Sequence, residues 1–403
     1  MRGQSIAKLT AVVIGIALLA GLAFTPIKNH INLGLDLQGG LHVVMEAKEK
    51  PGQTISDDTI KKTVAVMRNR IDAMGVKEPI IQTQGNKRVI IELAGVKDPE
   101  EAARILGQTA QLKFVDESGK VVVTGNNLKD ATANIGQDNQ PVVDIEFDKT
   151  GSEKFAQATA ANVGKTLSIV LDDKVISAPR VDEAITGGKA MIHGGFQNLE
   201  EASNLAIQLR SGALPVDLVQ AEKRTVGPTL GSDSLKKSIH AGIIGLIMIF
   251  IFMLGFYRLP GAVADVSLVF YSVLVLGITA LIGQTLTLPG IAGFLLSIGM
   301  AVDANIIIYE RIKDELRHGK TLQAAIDAGF KRAFVAIVDS NVTTLIAAVV
   351  LLYFGTGSIK GFAVTLSIGI LASMFTAITF THWLLRWCAD VWKKTSLYGV
   401  KEG

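Results

Sequence analysis

Residues 238–257 read SIHAGIIGLIMIFIFMLGFY, with no carboxylate, lysine or arginine. A bilayer core about 30 Å thick needs about 20 apolar helical residues to cross it, and this stretch meets that length. Four stretches downstream do the same: Ala262–Gly283, Pro289–Tyr309, Ala333–Phe354 and Gly361–Arg386. Short polar or Gly/Pro punctuation separates them, as at Arg258-Leu259-Pro260-Gly261, Gln284-Thr285-Leu286-Thr287 and Phe354-Gly355-Thr356-Gly357. The longer charged stretch Glu310–Arg332 is expected to hold a short interfacial helix.

Outward from these runs, the composition makes sense. The chain has 403 residues, 49% hydrophobic and 19% charged, yet its mean hydropathy is +0.38. Both hold only if charge and hydrophobicity are segregated. Between Ala241 and Tyr309 the only charged residues are Arg258, Asp265 and Asp303, where uniform spreading would place roughly a dozen. Between Ala333 and Leu385 only Asp339 and Lys360 remain. The region Ile31–Lys237 is densely charged and turn-rich. The pattern is a membrane protein with a sizeable soluble domain, and it excludes a purely soluble enzyme. A net charge of +3 gives no argument for nucleic acid as a partner. One cysteine, Cys388, excludes an intramolecular disulfide framework and any Cys-based zinc cluster.

A sixth apolar segment, Leu9–Phe24, follows Arg2 and Lys8. A cleaved signal peptide, with Gly21-Leu22-Ala23 as the cleavage site, is one reading. An uncleaved anchor is the reading that topology favours. Arg258, the basic residues of Glu310–Arg332, and Arg386, Lys393 and Lys394 then all fall on the side of Arg2 and Lys8, opposite Lys360. The positive-inside rule makes that side cytoplasmic and places Ile31–Lys237 outside the cytoplasmic membrane, with both termini inside.

The outer domain reads as α+β. Leu41–Ala47 alternates as a strand, and Asp57–Met74 is an amphipathic helix with Val64, Met67 and Ile71 on one stripe. Lys87–Leu93 is a strand, Asp98–Leu106 a helix opened by Asp-Pro-Glu-Glu, and Gln111–Val115 a strand. Val142–Phe147, Ser152–Val163, Leu167–Leu171 and Asn198–Arg210 repeat the strand and helix pattern more loosely, with Asn198 as N-cap. The order suggests ferredoxin-like βαβ units. The second, about Val121–Gly195, reads as a mobile insertion with hinges at Gly187-Gly188 and Gly194-Gly195.

Carboxylates inside apolar helices carry the chemistry. Asp303 lies seven residues before Glu310 and Asp339 seven after Arg332, so both sit about 10 Å from the cytoplasmic helix ends. An ionised Asp there costs roughly 2.5–3.5 kcal/mol, so such residues usually face a bundle interior and act on protons or substrates. Desolvation favours the protonated form, which suits uptake and release of a proton. Arg332, Ala336 and Thr343 share a stripe with Asp339, widened by Ser340, Asn341 and Thr344; Asn305 sits beside Asp303, with Gly299 and Ala301 permitting close helix approach. Helix-to-helix hydrogen bonding is the plainer role for both. Asp265, nearer the interface, is expected to snorkel. An intramembrane aspartyl protease would also use two carboxylates, but Gly299-Met300-Ala301-Val302-Asp303 lacks the Gly-x-Gly-Asp segment. Gly39-Gly40 and Gly194-Gly195 complete no nucleotide motif, and the six histidines show no metal-ligand spacing. The expectation is a non-enzyme with no cofactor, driven by an ion gradient.

Several strings converge on one family. Leu33-Gly34-Leu35-Asp36-Leu37-Gln38-Gly39-Gly40 follows the first apolar segment, then come Asn69-Arg70-Ile71-Asp72 and Ala206–Pro215. Val226–Gly231, Leu288–Gly293, Gly299–Asn305, Glu310-Arg311-Ile312 and Asn341–Leu345 complete the set. In order and spacing, over nearly the whole chain, they resemble the SecD family of the SecDF group. The resemblance implies a six-helix membrane bundle of the resistance–nodulation–division (RND) superfamily and an outer P1 domain with a base and a mobile head. It also implies use of the proton motive force to draw exported, unfolded polypeptide across the cytoplasmic membrane beside the SecYEG channel. Asp303 takes the place of the key membrane aspartate and Asp339 the acidic position of the next helix. Asp36, Gly39 and Gly40 mark the junction of anchor and base, where Asp36 braces the two; Asn305, Arg332 and Thr343 support coupling. Fused relatives carry two six-helix halves, so a separate SecF is the expected partner, pairing with Asp303 across the interface; membrane lipids surround both. Asn69–Asp72 and Ala206–Pro215 are expected to be structural. The division expected is anchor 1–27, base 28–120, head 121–197, base return 198–237, five-helix bundle 238–393 and cytoplasmic tail 394–403. A proton-coupled exporter of small hydrophobic molecules or lipids is the alternative.

Overall fold

The computed structural model describes residues 2–49, 55–76, 79–193 and 195–400. The chain divides into two compact units, Gly40–Val226 and a second made of Met1–Gly39 with Gly227–Gly403.

In the first of these, β1 (Gly40–Lys48), α3 (Asp57–Ala73), β2 (Ile80–Gln84), β3 (Arg88–Ala94), α4 (Pro99–Gly107) and β11 (Asp217–Val226) form the base. Its sheet has the order β11-β1-β3-β2 with every neighbour antiparallel. Leu41 faces Leu93, Val43 faces Ile91 and Met45 faces Val89 across the ladder. All six are buried, so the strand period of two puts one continuous apolar face under the helices. Met67 and Ile71 of α3 and Ala102, Ala103 and Leu106 of α4 close that core. Ser56 caps α3 in a reciprocal capping box with Thr59, and Asp98 caps α4 through the amides of Glu100 and Glu101.

Between α4 and β11 the chain builds the head. A four-stranded sheet holds β4 (Leu112–Val115), β5 (Val121–Thr124), β8 (Ser168–Leu171) and β9 (Lys174–Ser177). A three-stranded sheet holds β6 (Leu128–Ile135), β7 (Pro141–Phe147) and β10 (Lys189–Ile192). The rings of Phe114, Phe147 and Phe155 meet at centroid distances of 4.7–5.6 Å and join both sheets to α5 (Lys149–Ala161). Helix α6 (Leu199–Ser211), capped by Asn198 as expected, puts Ala202, Leu205, Ala206 and Leu209 into this same cluster, although the expected division puts residues 198–237 with the base. Within the expected hinge pair Gly187-Gly188, Gly188 is a packing point: it accepts from the Phe147 amide, and a Cβ there would lie 2.1 Å from Ser152 Oγ. Gly194, of the other expected hinge pair, lies outside the described residues.

Among the described residues, the second unit holds five helices long and apolar enough to cross a membrane. They are α1 (Arg2–His30), α7 (Pro228–Leu281), α8 (Leu288–Arg317), α9 (Leu322–Phe354) and a continuous run of α10 (Gly357–Phe375), a π turn at Thr376–Phe380 and α11 (Thr381–Val391). The short α2 (Leu35–Gln38) follows α1. At 1.5 Å per residue the 54 residues of α7 would span about 80 Å, more than twice a bilayer core. The helix breaks at Arg258 (φ 52°, ψ −118°), beside Pro260, where the punctuation is. A Cβ on Gly261 would lie 1.9 Å from the Met253 carbonyl oxygen, so the bend requires glycine there. The charged stretch Glu310–Arg332 holds no separate interfacial helix: α8 and α9 extend into it and leave a turn of a few residues between Arg317 and Leu322. The i,i+3 pair of Glu310 with Lys313 (2.9 Å) supports the extension of α8 into this stretch.

Candidate functional site

Three groups of residues in the helical unit hold the expected chemistry. The first is the junction Leu33–Gly40. Gly34 donates to Leu286 O (2.8 Å) and Leu286 to Asn32 O (2.7 Å), a short parallel bridge onto the segment that opens α8. The Asp36 carboxylate then accepts from the Leu288 amide at 2.5 Å. Pro289 has no amide proton, and the Gly290 amide bonds Thr287 Oγ1 at 3.1 Å, so the open donors at the start of α8 are satisfied. A carboxylate at a helix N-terminus also meets the positive end of the dipole. Burial pushes the Asp36 carboxyl above the ordinary value, against the Leu288 hydrogen bond; its second oxygen is buried without a partner among the described residues. Gly39 (φ 80°) turns the chain out of α2, and Gly40 (φ 141°) starts β1. A Cβ on Gly231 of α7 would sit 2.7 Å from the Gly39 nitrogen, so α7 packs directly on this turn.

The second group is the pair of aspartates. Asp303 is exposed on α8, while Ala301, Val302, Ala304 and Asn305 around it are buried. Ala292, Leu296 and Gly299 continue its exposed stripe at helical spacing. On α9, Arg332, Ala336, Asp339 and Thr343 share an exposed stripe. Neither carboxylate makes a hydrogen bond or ion pair among the described residues. Asn305 turns away from Asp303: its Nδ2 donates to Ala301 O (3.1 Å) and its Oδ1 is buried without a partner. Thr343 bonds back to Asp339 O (3.1 Å) and Ser340 O (2.8 Å).

The third group joins α8 to α9. Glu315, 1% exposed, holds Lys320 at 2.6 Å and Arg332 at 2.5 Å. Arg332 is thereby tied to the turn. Glu315 escapes sequence reasoning because it stands among charges that read as a solvated face. Asp265 is half-buried on α7, and one of its carboxylate oxygens, like the Tyr309 hydroxyl, is buried without a partner among the described residues. No cluster of three or more His, Cys, Asp or Glu among the described residues is placed to hold a metal.

Outside this unit, a cavity of about 320 Å³ lies between the two sheets of the head, lined by Phe114, Phe155, Ile169 and Ile192 together with the charged Arg180, Asp182 and Glu183.

Sequence profiles of known families cover the chain in consecutive pieces. Residues 27–50 match the SecD/SecF GG motif, 60–119 the N-terminal part of the P1 domain of protein translocase subunit SecDF, and 100–216 the SecDF P1 head subdomain. Residues 210–390 match the C-terminal part of the protein export membrane protein SecD/SecF. Protein translocase subunit SecD of Acidaminococcus fermentans is 52% identical over 385 residues, covering 96% of this chain and 92% of that one. The subunit of the same name from Dictyoglomus turgidum is 49% identical, covering 93% and 92%. Among solved structures, the crystal structure of a Thermus SecDF, described as a translocon-associated membrane protein, matches with a TM-score of 0.65 and 40% identity. It covers 95% of this chain, which spans 59% of the SecDF chain.

Proposed function

The chain belongs to the SecD family of protein translocase subunits, and on that footing we propose how it couples a proton gradient to polypeptide export. It is an accessory subunit of the Sec translocase. The observation that carries the coupling is the exposure of Asp303 on α8 between buried neighbours. A carboxylate facing hydrocarbon at that depth costs several kcal/mol, so Asp303 needs a protein or water-lined surface opposite it. SecF, as a second six-helix subunit, provides that surface, and Asp303 takes up and releases the proton there. Asp339 lies on the adjoining helix and assists. Protonation removes the charge and changes which packing of the two subunits is favoured.

In this reading the two arms of α7 on either side of Arg258 cross separately, which makes six spans in the cytoplasmic membrane. The base is a ferredoxin-like βαββαβ unit, interrupted by the head, and lies outside the membrane with both termini inside. The Asp36–Leu288 bond ties the start of α8, the helix of Asp303, to the segment that becomes β1. The cavity of the head, with apolar side chains beside Arg180, Asp182 and Glu183, accepts segments of unfolded polypeptide emerging from SecYEG. The relatives reported above are translocase subunits, and nothing in the geometry favours an exporter of small molecules.

Asp303→Asn tests the proposal. In inverted membrane vesicles carrying SecYEG and SecF, the variant is expected to lose the part of precursor export that a proton gradient stimulates while keeping the gradient-independent part. Full gradient stimulation in the variant would refute the role of Asp303.

A further inference from the structure

Arg70 of α3 is fully buried, at 0% exposure, and makes no ion pair among the described residues. Its two terminal guanidinium nitrogens are spent on backbone carbonyls, while Nε is buried with no hydrogen-bond partner among the described residues. Nη1 donates to Ile105 O (2.7 Å), Leu106 O (3.4 Å) and Gln108 O (2.5 Å). Nη2 donates to Thr109 O and Gly212 O, at 3.4 and 3.2 Å. Ile105 and Leu106 end α4 of the base. Gln108 and Thr109 begin the passage from base to head, and Gly212 begins the passage back.

Other contacts gather at the same place. The Leu214 amide donates to Thr109 O at 2.9 Å, joining the two passages directly. Asp172, in the β8–β9 turn of the head, accepts from the amides of Ala110 (3.0 Å) and Gln111 (2.8 Å). Each passage contains one residue with left-handed backbone, Ala110 (φ 57°) and Gly212 (φ 85°). A non-glycine residue in that region is strained, and such strain persists only where surrounding bonds impose it. Burial lowers the Arg70 pKa to about 10, opposed by the charge of Asp172, so the side chain stays protonated at neutral pH.

A buried cation without a counter-ion is expensive and is retained where something depends on it. We infer that Arg70 is a pin holding the two chain passages between base and head together, and that it sets the orientation in which the head is carried. Its acceptors belong to both passages and to the end of α4, so reorienting the head requires the fork to exchange acceptors. The planar, five-donor guanidinium suits this role and a lysine ammonium does not. This inference rests on the outer unit alone and stands apart from the proton chemistry of Asp303.

The test uses the full chain with Arg70→Met and Arg70→Lys. Amide exchange at Leu214 is expected to accelerate at least tenfold in Arg70→Met and less in Arg70→Lys, while Val43 and Ile91 in the base sheet stay within about twofold of the parent. Spin labels at Lys61→Cys on α3 and Lys154→Cys on α5, with Cys388→Ala, are expected to give a broader distance distribution in both variants. Equal acceleration at Leu214, Val43 and Ile91 would reduce Arg70 to an ordinary core residue and overturn the inference. So would an unchanged label distribution. Should Arg70→Met fail to fold, Arg70→Lys decides: parent-like exchange at Leu214 and a parent-like distribution would refute the pin.

Discussion

The Asp36 carboxylate caps the amide of Leu288 across 252 positions of sequence, at 2.5 Å. It gives α8 its first hydrogen-bond acceptor from a segment that continues into β1. Removing such a cap usually costs about 0.5–2 kcal/mol. Asp36→Ala is therefore expected to destabilise the helical unit by about 1 kcal/mol, and Asp36→Asn by less, because the amide oxygen still accepts. Cys388, the single cysteine and buried, reports unfolding through its reactivity with a fluorogenic maleimide during a thermal ramp. Equal Tm losses in the two variants would show that the acceptor at Leu288 is not what matters.

The same carboxyl predicts a pH dependence. Its folded-state pKa is raised above the ordinary value by burial. Between the two values the folded protein binds more protons than the unfolded chain, so this group's contribution falls as pH rises through that window and is level above it. Asp36→Asn removes the titration. The stability of the parent minus that of the variant should therefore decrease from acid pH towards neutrality, read by the same Cys388 assay. A difference that grows with pH would reverse the sign and contradict the burial.

Gly369 of α10 marks where three helices close on each other. A Cβ there would lie 2.4 Å from Ser297 Oγ, 2.5 Å from Ser297 Cβ and 2.8 Å from Tyr271 Oη. Overpacking of this kind costs about 1–3 kcal/mol, so Gly369→Ala should lower the Tm clearly. Ser297→Gly in the same chain should restore part of the loss, and Ser297→Ala less, because its Cβ stays in place. A double variant no better than Gly369→Ala alone would place the strain elsewhere.

The membrane helices were legible because an apolar run of about 20 residues is a property of the chain itself. The break at Arg258 was equally local, written in Pro260 and Gly261. Strands β9 and β10 were not, because they are short, and neither was β6, because it does not alternate: β6 buries only Ala131 fully and β10 only Ile192. Asp303 and Asp339 stood out as charges in apolar surroundings; both are exposed in this chain and do not face the interior of its own helix bundle. The partner of Asp36 was hidden because it depends on a turn folded against residues far along the chain. Arg70 lay inside a quoted motif, yet five carbonyl acceptors leave no trace in side-chain pattern.

Glu315 and Arg332 give an asymmetric prediction. The carboxylate is buried at 2% side-chain exposure, whereas the Arg332 side chain is 61% exposed. Removing the cation leaves a buried charge with Lys320 alone; removing the carboxylate leaves a cation that water can solvate. Arg332→Ala should thus destabilise more than Glu315→Gln, and the double variant should fall short of the sum by about 1 kcal/mol or more. Strict additivity would mean that the pair does not interact in solution.

Two buried tyrosines separate hydrogen bonding from packing. Tyr271 donates to Ser297 Oγ at 2.6 Å, and Ser297 itself donates to Phe294 O at 2.7 Å, so Ser297 keeps a partner when the Tyr271 hydroxyl is lost. The Tyr309 hydroxyl is buried with no hydrogen-bond partner among the described residues, close enough to Asp265 to feel its charge. Phenylalanine at either position removes one oxygen and leaves the ring contacts. Tyr271→Phe should cost about 1 kcal/mol, the usual net value of a hydrogen bond. Tyr309→Phe should be neutral or stabilise by up to about 1 kcal/mol, because a desolvated and unsatisfied group disappears. Opposite shifts in the Cys388 unfolding assay would establish the contrast. Equal losses would show instead that water reaches Tyr309, making it and Asp265 part of a hydrated crevice behind α8, away from the exposed face of Asp303.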